Sequence, residues 1–266
     1  MRRALKLIRD PGTYLPLAAK MSQEKLARLF ANTAFFLQGQ MDIHPRSRWH
    51  DPAFVARTGG FFLPGDPVAR RIMDLEPWDH VRRDMLALLL RSLNERRVPG
   101  AMAELGVFRG STARLLHHYM PDRALHLFDT FSGFDAGEVA SERSRTGHAV
   151  EAGRYGGTSP AEVLATIAPQ NERVRLHPGL FPASVPPELE RETFAFVHLD
   201  ADLHDPTRAG LEFFWERVAP GGFVVVHDYN AWPGARAAVD GFLAGRREVA
   251  IPMPDKSGSA LIVRQG

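Results

Sequence analysis

The chain has 266 residues, of which 44% are hydrophobic and 24% are charged, and its formal net charge is +2. This is the composition of an ordinary globular protein with one sizeable core. No apolar run approaches the roughly 20 residues of a membrane span. The sequence lacks the dense Lys/Arg stripe that is typical of nucleic-acid-binding proteins. It contains no cysteine, which excludes disulfides and thiol chemistry.

The first part of the chain, residues 1–98, reads as a helical N-terminal extension. Its start is basic, but charged residues interrupt the apolar ones, so it lacks the continuous apolar centre of a signal peptide. We therefore expect a cytoplasmic protein without membrane contact. Apolar residues at helical spacing predict helices over Ser22–Gln38 and Pro77–Arg97, with a turn-rich break at Thr58–Pro67 between them.

Strands and helices alternate through the second region, residues 99–266. The predicted strands are Ala101–Leu105, Leu125–Phe128, Val174–Leu176, Phe194–Leu199, Phe223–Val226, Glu248–Met253 and Ala260–Val263. The predicted helices are Ser111–Tyr119, Pro160–Ile167, Asp205–Val218 and Ala235–Leu243. The polar stretch Ser132–Thr158 reads as a long loop, either ordered over a ligand or disordered. This alternation predicts an α/β fold, a mostly parallel sheet with helices on both faces.

Three acids follow two neighbouring strands of this pattern. Asp200 and Asp202 come directly after Phe194–Leu199, and Asp228 comes after Phe223–Val226, with one helix between the strands. A strand–helix–strand unit makes its strands parallel, so their carboxyl ends open on the same edge of the sheet. Ligands of open α/β sheets bind at that edge. We therefore expect the three carboxylates to share one pocket.

The first strand runs into a turn that contains two glycines, Glu104–Thr112 (ELGVFRGST). Such a turn before a helix lets backbone N–H groups approach a ligand, and Ser111 or Thr112 is a plausible N-cap. Asp129 ends the next strand, where an acid can accept hydrogen bonds from ribose hydroxyls.

The turn and the acids favour S-adenosylmethionine over a dinucleotide. The spacing Gly106-x-x-x-Gly110 departs from G-x-G-x-x-G, and Phe108 fills the space that a pyrophosphate needs. Carboxylates suit the sulfonium and amino groups of S-adenosylmethionine and would repel a pyrophosphate. The predicted cofactor-binding residues are Glu104, Gly106, Phe108, Gly110, Ser111, Thr112, Asp129, Thr130, Ser132 and Asp200.

Four stretches resemble the macrocin O-methyltransferase (TylF-like) family: ELGVFRGST, LFDTFSGF, HLDADLHDPTRAGLEFFWERVAPGG and HDYNAWPGARAAVDGF. The resemblance runs from about Leu75 to the C-terminus. It implies a class I methyltransferase (Rossmann-like) fold with a seven-stranded sheet, S-adenosylmethionine-dependent sugar O-methylation, and an N-terminal region that closes over the substrate. By motif, Asp200 resembles a Mg²⁺ ligand, Asp202 the general base, and Asp228 the second Asp of a D-D-Y metal motif.

The chain departs from that pattern at His227, where the family has an Asp. Mg²⁺ prefers carboxylate oxygens, whereas imidazole suits several transition metals. Three alternatives stay open: a weaker Mg²⁺ site, another divalent metal, or no metal with His227 as an acid/base group. The candidate metal ligands are therefore Asp200, His227 and Asp228, and the candidate catalytic residues are Asp202 and His227.

The sequence thus predicts an O-methyltransferase that acts on a sugar or glycosylated small molecule. The alternatives are a nicotinamide-dependent oxidoreductase and a non-catalytic S-adenosylmethionine-binding protein. We expect a homo-oligomer that binds no nucleic acid. His198 and His204 are expected to be structural and Trp232 to pack in the core, and the long loop offers the candidate substrate contacts His148, Arg154 and Tyr155.

Overall fold

The computed structural model describes residues 79–167 and 171–266. The predicted helix Ser22–Gln38, the break Thr58–Pro67 and the basic N-terminus lie outside the described residues. The proposed division at residue 98 therefore stays a prediction. Within the described ranges, no helix is both long and apolar enough to cross a membrane.

The described chain alternates strands and helices as its sequence predicts. The helices are α1 His80–Glu95, α2 Ser111–Tyr119, α3 Ala136–Thr146, α4 Pro160–Ile167, α5 His204–Trp215 and α6 Pro233–Leu243, with a 3₁₀ turn at Pro187–Arg191. The strands are β1 Ala101–Leu105, β2 Leu125–Asp129, β3 Val174–Pro178, β4 Phe194–Leu199, β5 Val218–Val226, β6 Ile251–Pro252 and β7 Ala260–Val263.

The strands form one seven-stranded sheet in the order β3-β2-β1-β4-β5-β7-β6. The first five run parallel, and β7 pairs antiparallel with both β5 and β6. After β3 the chain crosses back to the other side of β1, so the strand order reverses between β1 and β4. In open α/β sheets, the crevice at such a reversal is where ligands bind.

Apolar side chains cover both faces of the sheet. One core cluster joins alternate strand residues such as Met102 to α1, α2 and α4, and a second joins their neighbours such as Ala103 to α5 and α6. Helix α5 packs closely on the sheet at Gly210. A Cβ added there would stand 2.9 Å from the side chains of both Leu105 and Leu199, so a larger residue would not fit. The predicted class I architecture is therefore confirmed.

Several predicted boundaries differ from those of the structure, most clearly around β5 and β6. Helix α5 ends at Trp215, and β5 begins at Val218 instead of Phe223. Its pairing with β4 jumps from Val218 to Phe223 while β4 advances two residues, so Pro220–Gly222 forms a bulge within the strand. The last predicted hairpin is also shorter, since only Ile251–Pro252 of Glu248–Met253 is paired.

The predicted loop Ser132–Thr158 contains helix α3. Asp135 caps it, since its carboxylate accepts hydrogen bonds from the N–H groups of Gly137 and Glu138. The buried carboxylate of Glu142 accepts a bond of 2.8 Å from the N–H of His204 at the start of α5. Helix α3 is therefore attached to α5 through a polar side chain. Because this contact is a hydrogen bond, the sequence of α3 does not need an apolar stripe.

Candidate active site

A cavity of about 350 Å³ opens at the carboxyl ends of β1, β2, β4 and β5. Small-molecule sites span roughly 300–1,000 Å³. Of the ten predicted cofactor-binding residues, eight line this cavity: Glu104, Gly106, Phe108, Ser111, Thr112, Asp129, Thr130 and Asp200. Gly110 and Ser132 lie outside the lining. Asp202, His227 and Asp228 line the same cavity, so the topology brings both predicted groups of residues together.

The turn after β1 is held by the carboxylate of Asp129. Its Oδ2 accepts hydrogen bonds from the N–H groups of Val107 and Phe108 at 2.7 and 2.8 Å, and its Oδ1 accepts one from Phe131 at 2.7 Å. Gly106 has φ 85°, and a Cβ there would stand 2.1 Å from the carbonyl oxygen of Asp200. Only glycine fits where these two strand ends meet.

Helix α2 begins differently from the prediction. Its N-cap is Gly110, with φ 79° and no capping side chain, instead of Ser111 or Thr112. The N–H of Gly110 bonds to the carbonyl of Val107, which closes the turn, and Gly110 itself has the left-handed backbone that glycine adopts without strain. The predicted cap residues therefore lie in the first turn of the helix.

Two buried side chains face each other on β1 and β4. The Nδ1 of His198 lies 3.1 Å from Oε1 of Glu104, and both side chains are almost completely buried. Burial, with a contribution from Asp200, raises the pKa of Glu104 well above its usual range. Burial lowers the pKa of His198 to about 3. Within the described part of the chain, Oε2 of Glu104 has no hydrogen-bond partner, so this buried oxygen at the cavity can accept a ligand group.

Asp200, His227 and Asp228 form a cluster at the ends of β4 and β5. The Nδ1 of His227 lies 2.7 Å from Oδ1 of Asp200 and 3.4 Å from Oδ1 of Asp228. One ligand atom from each residue lies within 4.8 Å of the others. Two carboxylates and an imidazole at this spacing fit a divalent metal ion.

Asp200 and His227 shift each other's pKa in opposite directions. Burial alone would raise the pKa of Asp200, but the adjacent imidazole of His227 holds it below its usual range. Burial alone would lower the pKa of His227, and the charge and hydrogen bond of Asp200 raise it instead. The guanidinium of Arg82 lies 3.5 Å from Oδ2 of Asp200. Cationic groups therefore stand beside both oxygens of this carboxylate.

Asp202 lies two residues beyond Asp200 and is 6% exposed. Burial raises its pKa well above the usual range, the negative charges of Asp200 and Asp228 add to this, and Arg154 opposes it. Asp202 and Asp228 have φ values of 60° and 57°. Left-handed backbone is uncommon for residues other than glycine, and here it occurs at two acids of one cavity.

The long polar segment supplies part of the cavity wall. Arg154 and Tyr155 line the cavity, as do Phe134 and Glu138. Burial, together with Asp135 and Asp205, raises the pKa of Glu138 to about 7. Sequence reasoning missed Glu138 because its helix was not predicted. It also missed Arg82, which reaches the cavity from α1, far from the motifs.

The remaining candidates lie beside the cavity. His148 is outside its lining and packs against the ring of Trp232 with centroids 5.1 Å apart. The Trp232 side chain is 8% exposed and belongs to a small apolar cluster, which confirms the predicted core packing. The Nδ1 of His204 lies 2.7 Å from Oδ1 of Asp205, outside the cavity lining.

The family model and the curated relatives that match this chain are all O-methyltransferases. A family model described as Macrocin-O-methyltransferase (TylF) matches residues 79–261. A demethyldecarbamoylnovobiocin O-methyltransferase of Streptomyces niveus is 32% identical over 158 residues, which is 55% of this chain and 59% of that protein. An 8-demethyl-8-(2,3-dimethoxy-alpha-L-rhamnosyl)-tetracenomycin-C 4'-O-methyltransferase of Streptomyces olivaceus is 27% identical over 263 residues, 94% of this chain and 92% of that protein. The match to the first relative thus spans less than two thirds of its length.

Solved structures show the same fold. The O-methyltransferase NovP superposes with a TM-score of 0.58 at 21% identity, covering 88% of this chain and 100% of that chain. The calicheamicin methyltransferase CalS11 gives a TM-score of 0.57 at 23% identity, over 75% of this chain and 86% of that chain. Since the family model spans more than half of the chain and includes every strand-end acid of the cavity, this chain belongs to the macrocin O-methyltransferase family of S-adenosylmethionine-dependent enzymes.

Proposed function

We propose that the chain transfers the methyl group of S-adenosylmethionine to a hydroxyl of a sugar or glycosylated small molecule. One observation carries the proposal: the turn that follows β1 and the acids Asp200, Asp202 and Asp228 line a single cavity. A cofactor subsite and a proton-accepting group are thereby within reach of one small molecule.

The cofactor end of the cavity fits S-adenosylmethionine. Asp129 already accepts three backbone hydrogen bonds, and a carboxylate has about four acceptor positions, so it can also accept a ribose hydroxyl. Oε2 of Glu104, which is buried and has no hydrogen-bond partner among the described residues, suits a cationic amino group. The bound cofactor supplies the electrophilic methyl group, and the walls of the cavity hold it in position.

Asp202 is the proposed general base. A sugar hydroxyl is a weak nucleophile, and a positioned carboxylate that takes its proton during methyl transfer speeds such a step. Burial and the neighbouring acids, which disfavour the ionised form of Asp202, make it a stronger proton acceptor than an ordinary carboxylate. Arg154 opposes this effect and so helps Asp202 to stay ionised until the proton arrives.

Asp200, His227 and Asp228 are the proposed metal ligands, and their donor atoms fit a divalent ion. Such an ion, when bound, stabilises negative charge that develops on a nearby oxygen. The direct ion pair between His227 and Asp200 also fixes the orientation of the imidazole ring. Asp200, His227 and Asp228 thus hold the groups that position the reacting oxygen.

The acceptor class follows from the relatives. The proteins of S. niveus and S. olivaceus are named for O-methylation of demethyldecarbamoylnovobiocin and of a rhamnosyl tetracenomycin. The wall formed by Phe134 and Tyr155, with ring centroids 5.4 Å apart, offers apolar surface beside polar groups that can bind sugar hydroxyls. We propose a glycosylated small molecule as the acceptor and a cytoplasmic location, and we expect the enzyme to form homo-oligomers.

The test combines binding and turnover. Calorimetry with S-adenosylmethionine and with NAD should show binding of the former alone, and binding of NAD alone would favour the oxidoreductase alternative. A panel of rhamnosides and other glycosides with S-adenosylmethionine should then yield a methylated product by mass spectrometry. Cofactor binding with no transfer to any acceptor would favour the non-catalytic alternative.

A further inference from the structure

We propose that the cluster of Asp200, His227 and Asp228 selects a borderline first-row transition ion, such as Co²⁺ or Zn²⁺, over Mg²⁺. The inference deepens the methyltransferase function proposed above and rests on it for the role of the ion, but it concerns a binding property that the chain shows without any acceptor. Two observations carry it: the donor atoms of the cluster and the cation that stands beside it.

The donor atoms include one nitrogen in a fixed place. The Nδ1 of His227 points between the carboxylates, 2.7 Å from Oδ1 of Asp200 and 3.4 Å from Oδ1 of Asp228. The imidazole is 13% exposed, and its backbone is held because the N–H of His227 bonds to the carbonyl of Leu199 at 2.8 Å. An ion bound between the carboxylates would displace the proton of Nδ1 and bind that nitrogen, and Nε2 would then carry the remaining ring proton.

Mg²⁺ gains little from such a nitrogen. It takes oxygen ligands in nearly octahedral geometry and loses its water reluctantly, whereas imidazole suits the later, softer metals. A carboxylate at position 227 would add a negative charge and an oxygen donor, and His227 supplies neither. The replacement thus removes what a hard ion uses and adds what a borderline ion uses.

Arg82 reduces the electrostatic part of binding for any divalent ion. Its guanidinium lies 3.5 Å from Oδ2 of Asp200, so part of the negative charge of that carboxylate is offset before any ion arrives. Attraction between charges is the main contribution to Mg²⁺ binding by carboxylates, and a nearby positive charge weakens it. The same repulsion acts on Co²⁺ or Zn²⁺, but these ions also gain a bond to Nδ1 of His227, so this bond makes up a larger share of the binding that remains.

The experiment compares wild type with His227→Asp, which restores a carboxylate. The metal-free full-length chain is titrated with Co²⁺ and with Mg²⁺, and bound metal is measured by equilibrium dialysis. Because most nitrogen and oxygen sites favour later metals, the informative quantity is the ratio of the two dissociation constants. We expect His227→Asp to reduce the preference for Co²⁺ at least about tenfold, since changes outside the ligand shell alone alter affinity by roughly 10–100-fold.

A second readout identifies the nitrogen. Proton NMR of the Co²⁺ form should show one strongly shifted exchangeable imidazole N–H signal, which is absent in His227→Asp and in His227→Gln. Circular dichroism checks that each variant is folded. An unchanged ratio of dissociation constants would overturn the inference, as would a wild-type chain that binds neither ion up to about 1 mM, the weak end of protein metal sites.

The outcome is separable from that of the proposed function. S-adenosylmethionine binding and methyl transfer are measured on the same preparations. If the chain transfers a methyl group but His227→Asp leaves the ratio of the Co²⁺ and Mg²⁺ dissociation constants unchanged, only the inference on metal selection is overturned. Selective Co²⁺ binding by a chain that transfers no methyl group to any acceptor would instead count against the proposed function.

Discussion

The two ends of the cavity are built differently. At the ends of β1 and β2, backbone groups dominate, and the carboxylate of Asp129 accepts three N–H groups of the surrounding turns. At the ends of β4 and β5, side-chain charges dominate, and burial together with the charges of Asp200 and Asp228 raises the pKa of Asp202. The turn at the cofactor end is held before a ligand binds, although Oε2 of Glu104 has no hydrogen-bond partner among the described residues, whereas the acidic end brings three carboxylates together.

The backbone does not share this contrast. Left-handed conformations occur at residues other than glycine at both ends: Phe108 and Phe131 at the cofactor end have φ values of 50° and 56°, and Asp202 and Asp228 at the acidic end have 60° and 57°. Each such residue costs of order 1–3 kcal/mol. The two ends therefore differ in charge and hydrogen bonding, so that binding is assigned to a preformed turn and chemistry to charged strand ends.

The largest effect is expected from Asp202→Asn, which removes the proposed base and keeps its shape. Turnover should fall roughly 10²–10⁴-fold because proton removal is lost, while calorimetry should show nearly unchanged affinity for S-adenosylmethionine. Asp240→Asn, at an acid outside the cavity lining, is the matched control and should leave turnover unchanged. Near-normal turnover in Asp202→Asn would place the base elsewhere, with His227 as the next candidate.

Asp129→Ala tests the preformed end and should have the opposite signature. The variant loses the acceptor of three backbone hydrogen bonds, so S-adenosylmethionine should bind more weakly by about 1–3 kcal/mol. Turnover at saturating cofactor should change less than the dissociation constant does. Unchanged affinity by calorimetry would remove Asp129 from the cofactor site, and the exposed Glu212→Gln variant controls for general charge effects.

The smallest effect concerns Glu138, an acid of the cavity wall outside both ends. Burial raises its pKa to about 7 from 4.5. Between these values the folded chain holds a proton that the unfolded chain has lost, so stability falls as pH rises through this window. The urea midpoint of wild type should therefore drop more from pH 5 to pH 7.5 than that of Glu138→Gln. Parallel pH dependence in the two proteins would show that Glu138 ionises normally.

Much of the fold could be predicted from the sequence. The strands Ala101–Leu105 and Phe194–Leu199 lie where their apolar runs predicted them, because fully buried strands of a parallel sheet are continuous in apolar residues. The shared pocket also followed, since acids placed after two parallel strands must meet at one edge. The proposed roles of those acids stay predictions.

Other features depended on contacts between distant residues. Helix α3 docks through Glu142, whose carboxylate binds the first N–H of α5, and such a helix leaves no apolar period to detect. The N-cap at Gly110 followed from the closing of the turn against Val107 and Asp129, not from the capping preference of Ser111.

The sequence by itself therefore determined the order of the strands and of the described helices other than α3, the sheet edge that carries the acids, and the departure at His227. The first two features depend on local periodicity and on the parallel geometry of strand–helix–strand units, and the third depends on the resemblance to the family. Only the tertiary structure decided that Arg82 stands beside Asp200 and that Glu138 enters the cavity wall. Each comes from an element remote in the chain, and packing of the helices, not any local pattern, brings it to the site.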